Sequence, residues 1–227
     1  MRYAIYFMPA VEAPLWQFGS SVLGYDAASG EDCAFPSGTG IAPDDWRSMT
    51  QAPRQYGFHA TLKAPFELRD ASARVPLLAS MQAFANSWQS FVLADVEVVA
   101  LGAFLALSPT RPSAPLQALA DACVREFDDF RAPLDPVDLA RRQASAANER
   151  QRENVTDWGY PYVFRDFKFH MTLTGALGHG PRQEMLETLR GLYAPIQKPL
   201  QIDGFALFAQ PSRAERFKVV ERFTFGQ

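Results

Sequence analysis

The chain has 227 residues, with 22 Lys and Arg against 25 Asp and Glu, a formal net charge of −3 and three histidines. Hydrophobic residues at 48% and aromatics at 13% suffice for a packed core at this length, which excludes disordered and collagen-like classes. The mild acidity excludes a generic nucleic-acid or membrane-surface coat, so an anionic ligand needs a local cluster of bases. No apolar run approaches the roughly 18 residues of a membrane span. The apolar stretch at residues 3 to 8 is broken by Pro9 and Glu12, too early for a signal peptide, so a cytoplasmic location and no membrane partner are expected. Cys33 and Cys123 are expected to be free thiols, and the sequon at Asn154 is then accidental.

In chain order, residues 2 to 8 read as a strand and 13 to 23 as a helix carrying Leu15, Trp16, Phe18, Val22 and Leu23. Residues 24 to 53 are rich in Gly, Pro, Ser and Asp and read as a loop. Its Ser37-Gly38-Thr39-Gly40 run has the spacing of neither a dinucleotide nor a P-loop fingerprint. A strand near 57 to 64 follows, then a helix near 71 to 89 and strands near 92 to 99 and 101 to 108. Next come a helix with Leu116, Leu119, Cys123, Phe127 and Phe130 on one stripe, and a polar helix over about 136 to 153. The last elements are a strand near 168 to 174, a helix near 181 to 194, and strands near 199 to 209 and 217 to 225.

Strand, helix, strand, strand thus occurs twice, in repeats of about 57–108 and 168–225. The pattern predicts an α+β fold built by internal duplication, with antiparallel sheets, in a single pseudo-symmetric domain over 1–227. The repeats open on Phe58-His59-Ala60-Thr61-Leu62 and Phe169-His170-Met171-Thr172-Leu173, identical at four of five positions. Chance gives such a match on the order of a few times in a thousand.

Strand alternation places His59, Thr61 and Lys63 on one face, and Lys168, His170, Thr172 and Thr174 on one face of the second strand. Across a pseudo-twofold the two polar rows line one cleft. In-line displacement at phosphorus needs a base for the attacking oxygen and an acid for the leaving one, on opposite sides. Two histidines near their ordinary pKa meet that need, and threonine hydroxyls can donate to non-bridging oxygens. Lys63 and Lys168 are candidate phosphate ligands, with Arg54 and Arg165, each five residues before its histidine, and Tyr56 as further candidates. His179, in Gly178-His179-Gly180, reads as a turn or helix start.

HATL at 59 to 62 and HMTL at 170 to 173 resemble the paired H-x-T-hydrophobic motifs of the two-histidine phosphoesterase superfamily. That superfamily includes 2',3'-cyclic phosphodiesterases and bacterial RNA 2',5'-ligase-like proteins. RYAIYFMP, RQYGFHATLKAPF and WGYPYVFRDFKFHMTLTG resemble, more narrowly, a bacterial branch encoded beside carbon-phosphorus lyase genes for phosphonate use. The resemblance implies two α+β lobes around a V-shaped cleft with helices packed outside. It implies catalysis by His59, Thr61, His170 and Thr172, with no metal and no cofactor, on a small cyclic phosphodiester.

The expected partner is a small phosphorylated metabolite or nucleotide bound by a monomer. Three rivals remain at this stage. A zinc enzyme lacks a second ligand at coordinating spacing in either motif. An RNA-end-processing enzyme or ligase needs a basic, aromatic groove, for which Arg141, Arg142, Tyr56, Tyr160 and Tyr162 are the available material. A non-catalytic phosphometabolite-binding module has no need of two proton carriers.

Overall fold

A computed structural model describes residues 1–226. The chain begins with β1 (Arg2–Phe7) and α1 (Pro14–Leu23), then a short hairpin of β2 (Tyr25–Asp26) and β3 (Glu31–Asp32), α2 (Pro43–Arg54) and β4 (Ala60–Phe66). The first repeat continues through α3 (Arg74–Asn86), β5 (Phe91–Leu93), β6 (Val96–Leu101) and β7 (Phe104–Pro109). Between the repeats lie α4 (Ala114–Glu126), α5 (Pro136–Ala144) and α6 (Glu149–Trp158). The second repeat holds β8 (Met171–Thr172), α7 (His179–Tyr193), β9 (Leu200–Ile202), β10 (Gly204–Gln210) and β11 (Lys218–Thr224).

The expected α+β class and antiparallel pairing are present. A sheet of seven strands runs in the order β11-β10-β1-β4-β8-β7-β6. Each histidine strand is joined to the hairpin that follows the other in sequence. The β10–β11 hairpin, through β1, flanks β4, while the β6–β7 hairpin flanks β8. The two halves meet where β4 and β8 share one registered pair, Ala60 opposite Met171. Helices cover the other face: α4 packs on β4, α3 on β11, and α7 on β6 and β7. Under α3 and α4, Phe84 meets Phe127 at 5.2 Å and Phe205 at 5.6 Å, edge to face, contacts worth about 0.5–1.5 kcal/mol each beyond area burial.

Two expectations about helices need correction. Part of the predicted loop at 24 to 53 is the helix α2, which starts on Pro43 with Asp44 and Asp45 in its first turn and buries Trp46, Thr50, Pro53 and Arg54. Proline is well placed at a helix start, and acidic first-turn residues complement the helix dipole. Its Trp46 indole donates to the Val22 carbonyl at 2.7 Å, tying α2 to α1. The single polar helix expected over 136 to 153 is two, α5 and α6, because Asn148 caps a new helix by accepting from the Gln151 amide.

Candidate active site

His59 and His170 stand immediately ahead of β4 and β8. Antiparallel register about Ala60 and Met171 sets His59 across from Thr172 and Thr61 across from His170. The two histidines are then diagonal neighbours, a relationship with a usual spacing of about 7–8 Å between α-carbons. The imidazoles are held alike. His59 Nδ1 lies 2.9 Å from the Gly57 carbonyl oxygen and His170 Nδ1 lies 2.7 Å from the Lys168 carbonyl oxygen, each two residues upstream. An Nδ1–H that donates to a carbonyl leaves Nε2 as the working nitrogen. For His59, Nε2 is 3.2 Å from Thr61 Oγ1.

Gly57 makes its carbonyl available from a left-handed turn, φ +77°, where an added Cβ would meet the Ala27 Cβ at 2.6 Å. The His59 ring is stacked on Tyr6, centroids 3.7 Å apart and 21° between planes. Its pKa is lowered to about 4, mainly by burial, opposed by the Gly57 carbonyl and reinforced by the charge of His170. Burial also lowers His170, opposed by the Lys168 carbonyl. Both imidazoles therefore start neutral at pH 7.

Three adjoining hollows meet on these residues. One, of about 680 Å³, contains His59, Thr61 and Thr172 and is bordered by Arg2, Arg141, Arg142 and Arg213. A second, of about 550 Å³, contains Thr61 and His170 and is walled by Phe104, Tyr160, Tyr162 and Phe167, with Arg165 and Lys168 at its edge. A third joins His59 and Thr172 to Tyr56, Phe104 and Thr174. The Thr174 hydroxyl is already committed, donating to the Gly175 carbonyl at 2.9 Å and accepting from the Leu105 amide at 3.0 Å.

Two of the expected phosphate ligands lie elsewhere. In the β1–β4 ladder Tyr6 pairs with Thr61 but Ile5 pairs with Lys63, so Leu62 is an extra residue, a bulge that breaks strict alternation. Thr61 and Ala64 line the cleft, whereas Lys63 turns under α4. There its Nζ donates to the Val124 carbonyl at 3.1 Å and to Asp128 at 2.8 Å, at 4% exposure. Arg54 is also buried, donating to the Leu23 carbonyl at 2.6 Å and to the Thr50 hydroxyl at 2.8 Å, with its guanidinium 5.1 Å from the Phe35 ring centroid.

Of the expected cations, Lys168 and Arg165 stand at the edge of the second hollow, while those around the first are arginines that strand alternation around the histidines did not reveal. Asp138 pairs with Arg141 at 2.8 Å and with Arg213. Arg2 and Arg142, both half-buried, bind only neutral oxygens among the described residues. Arg2 donates to the Gln210 side chain at 2.9 Å, and Arg142 donates to the Gly159 and Pro65 carbonyls. Burial lowers both guanidinium pKa values without discharging them. For Arg2 a signal existed: period two places Arg2, Ala4 and Tyr6 on one face of β1. Arg142 stands out in the sequence only as material for a nucleic-acid groove, since a polar helix is ordinarily solvated.

Among the described residues no group of three or more His, Cys, Asp or Glu side chains is placed to hold a metal ion, and no helix is long and apolar enough to cross a membrane. A family model described as "Protein of unknown function (DUF1045)" matches residues 61–218. The chain belongs to the DUF1045 family. Curated relatives of this DUF1045 protein include "Ribose 1,5-bisphosphate phosphokinase PhnN" of Janthinobacterium sp. (strain Marseille), 43% identical over 99% of this chain and 51% of the relative. The protein of the same name from Laribacter hongkongensis (strain HLHK9) is 33% identical over 96% of this chain and 50% of the relative. The chain thus spans about half the length of the curated relatives it matches. Similar solved structures include E. coli LigT complexed with NADP+, at 15% identity and TM-score 0.44 over 100% of this chain and 98% of that one. TT0787 of Thermus thermophilus is similar at 14% identity and TM-score 0.46 over 100% of each chain. Likenesses this distant bear on neither activity nor ligand.

Proposed function

We propose that this DUF1045 protein is a metal-independent phosphoesterase that hydrolyses a small cyclic phosphodiester, a ribose or nucleotide cyclic phosphate. The observation that carries the reading is the matched anchoring of the two imidazoles, Nδ1 on the carbonyl two residues upstream in each case, which leaves an Nε2 on each histidine for adjoining hollows that share Thr61 and Tyr160. His59, the more strongly lowered of the two, is the base. It takes a proton from water as the water oxygen bonds to phosphorus. The bond from phosphorus to one ribose oxygen breaks, and His170, in the fraction of molecules in which it carries a proton, a fraction that grows below neutrality, gives that oxygen its proton. Thr61 and Thr172 donate to the non-bridging oxygens, and Arg2 and Arg142 supply the attraction for the anion.

The relatives' name, ribose 1,5-bisphosphate phosphokinase, supports a ribose phosphate as substrate, because it places a ribose bisphosphate in the chemistry of the longer proteins. Their kinase activity we assign to the part beyond the match. The phosphate-binding loop of P-loop kinases, G-x-x-x-x-G-K followed by Ser or Thr, is missing from this sequence. A role in phosphonate metabolism rests on the resemblance of the three segments quoted above. A long RNA substrate is less favoured. With Arg141 and Arg213 engaged by Asp138, the cations along these hollows that have no carboxylate partner among the described residues are Arg2, Arg142, Arg165 and Lys168, a set that suits a small phosphate ester better than a long backbone track.

The test is turnover of 2',3'-cyclic nucleotides and ribose cyclic phosphates, including 5-phosphoribosyl 1,2-cyclic phosphate, in chelator. Wild type hydrolyses at least one, and His59→Ala and His170→Ala each lose about 100- to 10,000-fold in kcat. Binding without turnover across the whole panel would establish a phosphometabolite-binding module instead.

A further inference from the structure

Tyr6 is the residue in closest ring contact with either histidine. It stands directly opposite Thr61 in the β1–β4 ladder, so both side chains rise from the same face of the sheet. Its ring covers the His59 imidazole and is backed by Phe208 at 5.0 Å. The residue is 1% exposed, and no hydrogen-bond partner for its hydroxyl is found among the described residues. The oxygen is not one of the buried polar atoms sealed without a partner, which are Trp16 Nε1, Ser20 Oγ and Arg222 Nε. Tyr6 borders the arginine-lined hollow that contains His59, Thr61 and Thr172.

As core filler this position would be served as well by phenylalanine, since the ring supplies the packing and the hydroxyl bonds to no described residue. The surroundings of the hydroxyl point to a donor's task. Arg2 and Arg142 draw an anion to the same hollow, and burial holds the phenol well above its ordinary pKa, so the proton stays on the oxygen at any pH at which the histidines work.

We infer that Tyr6 is a catalytic residue of the proposed reaction, its hydroxyl donating to a non-bridging oxygen of the bound phosphoryl group while its ring fixes the plane of His59. The inference rests on the phosphoesterase reading of the cleft. Tyr6 neither gains nor loses a proton. It supplies a fixed dipole where negative charge builds.

Tyr6→Phe keeps the ring on His59 and removes only the hydroxyl. On the substrate identified from the cyclic phosphate panel, kcat falls about 10- to 100-fold, the acid limb of the pH profile stays where it was, and the melting temperature does not drop. A kcat within about twofold of wild type overturns the inference and leaves the phosphoesterase reading intact. Calorimetric titration with inorganic phosphate adds a measurement that needs no turnover, with affinity expected to weaken about 3- to 10-fold in Tyr6→Phe. If wild type turns over no cyclic phosphate, the phosphoesterase reading fails, and the titration alone decides whether Tyr6 holds a phosphoryl oxygen. Equal phosphate affinity in the two proteins, or none in wild type, then overturns it.

Discussion

Ala60 of β4 lies directly opposite Met171 of β8, and the local twofold between these two small strand segments sets the two histidine–threonine pairs of the candidate site. One step outward on each strand puts a histidine across from the other strand's threonine. Thr61 and Thr172 therefore occupy equivalent positions, and Thr61→Val and Thr172→Val are expected to lower kcat to a similar degree, about 10- to 100-fold each. Circular dichroism and melting curves should match wild type, because both side chains are half-buried at the cleft rather than in the core. A large loss in one variant and none in the other would show that the hydroxyls have different tasks.

The pH profile follows from the two lowered imidazoles. A base works when neutral, so kcat/KM rises with pH through the His59 value of about 4. An acid works when protonated, so kcat/KM falls as pH rises through the His170 value, which lies below the ordinary 6.5. The expected profile is a bell with its maximum on the acid side of neutrality, measured as kcat/KM between pH 3.5 and 9. A maximum above about pH 7.5 contradicts this pair of assignments.

Arg142→Gln removes a guanidinium that has no carboxylate partner, and KM is expected to rise about 10-fold or more with a smaller change in kcat. Arg141→Gln, which removes a cation already paired with Asp138, should raise KM by less than about threefold. Titration with added salt should weaken substrate binding in wild type more than in Arg142→Gln.

Lys63 gives the opposite result from a phosphate ligand. Lys63→Met removes its bonds to Val124 and Asp128 under α4, and stability should fall by about 1–3 kcal/mol, read by chemical denaturation at neutral pH. Asp128 keeps its partner Arg131 at 2.9 Å, which limits the loss. KM on the identified substrate should stay within about twofold.

Gly57→Ala tests the anchor of His59. The substitution forces a side chain into a left-handed turn and against Ala27, with an expected cost of about 1–3 kcal/mol. If the turn shifts to relieve the contact, the Gly57 carbonyl moves away from Nδ1. The acid limb of the profile should then move further down, since that hydrogen bond is what raises the His59 pKa against burial.

Elements with strong periodicity were legible in the sequence. β1, α1, α3, α4 and α7 fall where apolar spacing puts them. His59 and His170 were legible because each identical motif is local and needs no knowledge of what packs on it. Lys63 was not, because the bulge at Leu62 arises from pairing with β1 across more than fifty residues, and one inserted residue sends the next side chain to the other face. Arg54 sits in a helix hidden by its own two prolines, Pro43 and Pro53. Arg2 and Arg142 come together from the first strand and the fifth helix, a proximity that only the folded chain creates. The split between α5 and α6 did carry a signal, the capping residue Asn148.

The exchanged hairpins also set a clock for folding. Arg2 and its partner Gln210 are separated by 208 positions, and at a synthesis rate of about 5–20 residues per second β1 waits about 10 to 40 s before β10 exists. Until then β1 has an open edge, and the half of the sheet that carries His59 is incomplete. The β6–β7 hairpin is made early but must wait for β8 in the same way. The half built on β8 closes first, because β8 precedes β10 in the chain, so the site is expected to be complete only once β10 has paired with β1, and truncation before β10 should yield a protease-sensitive product.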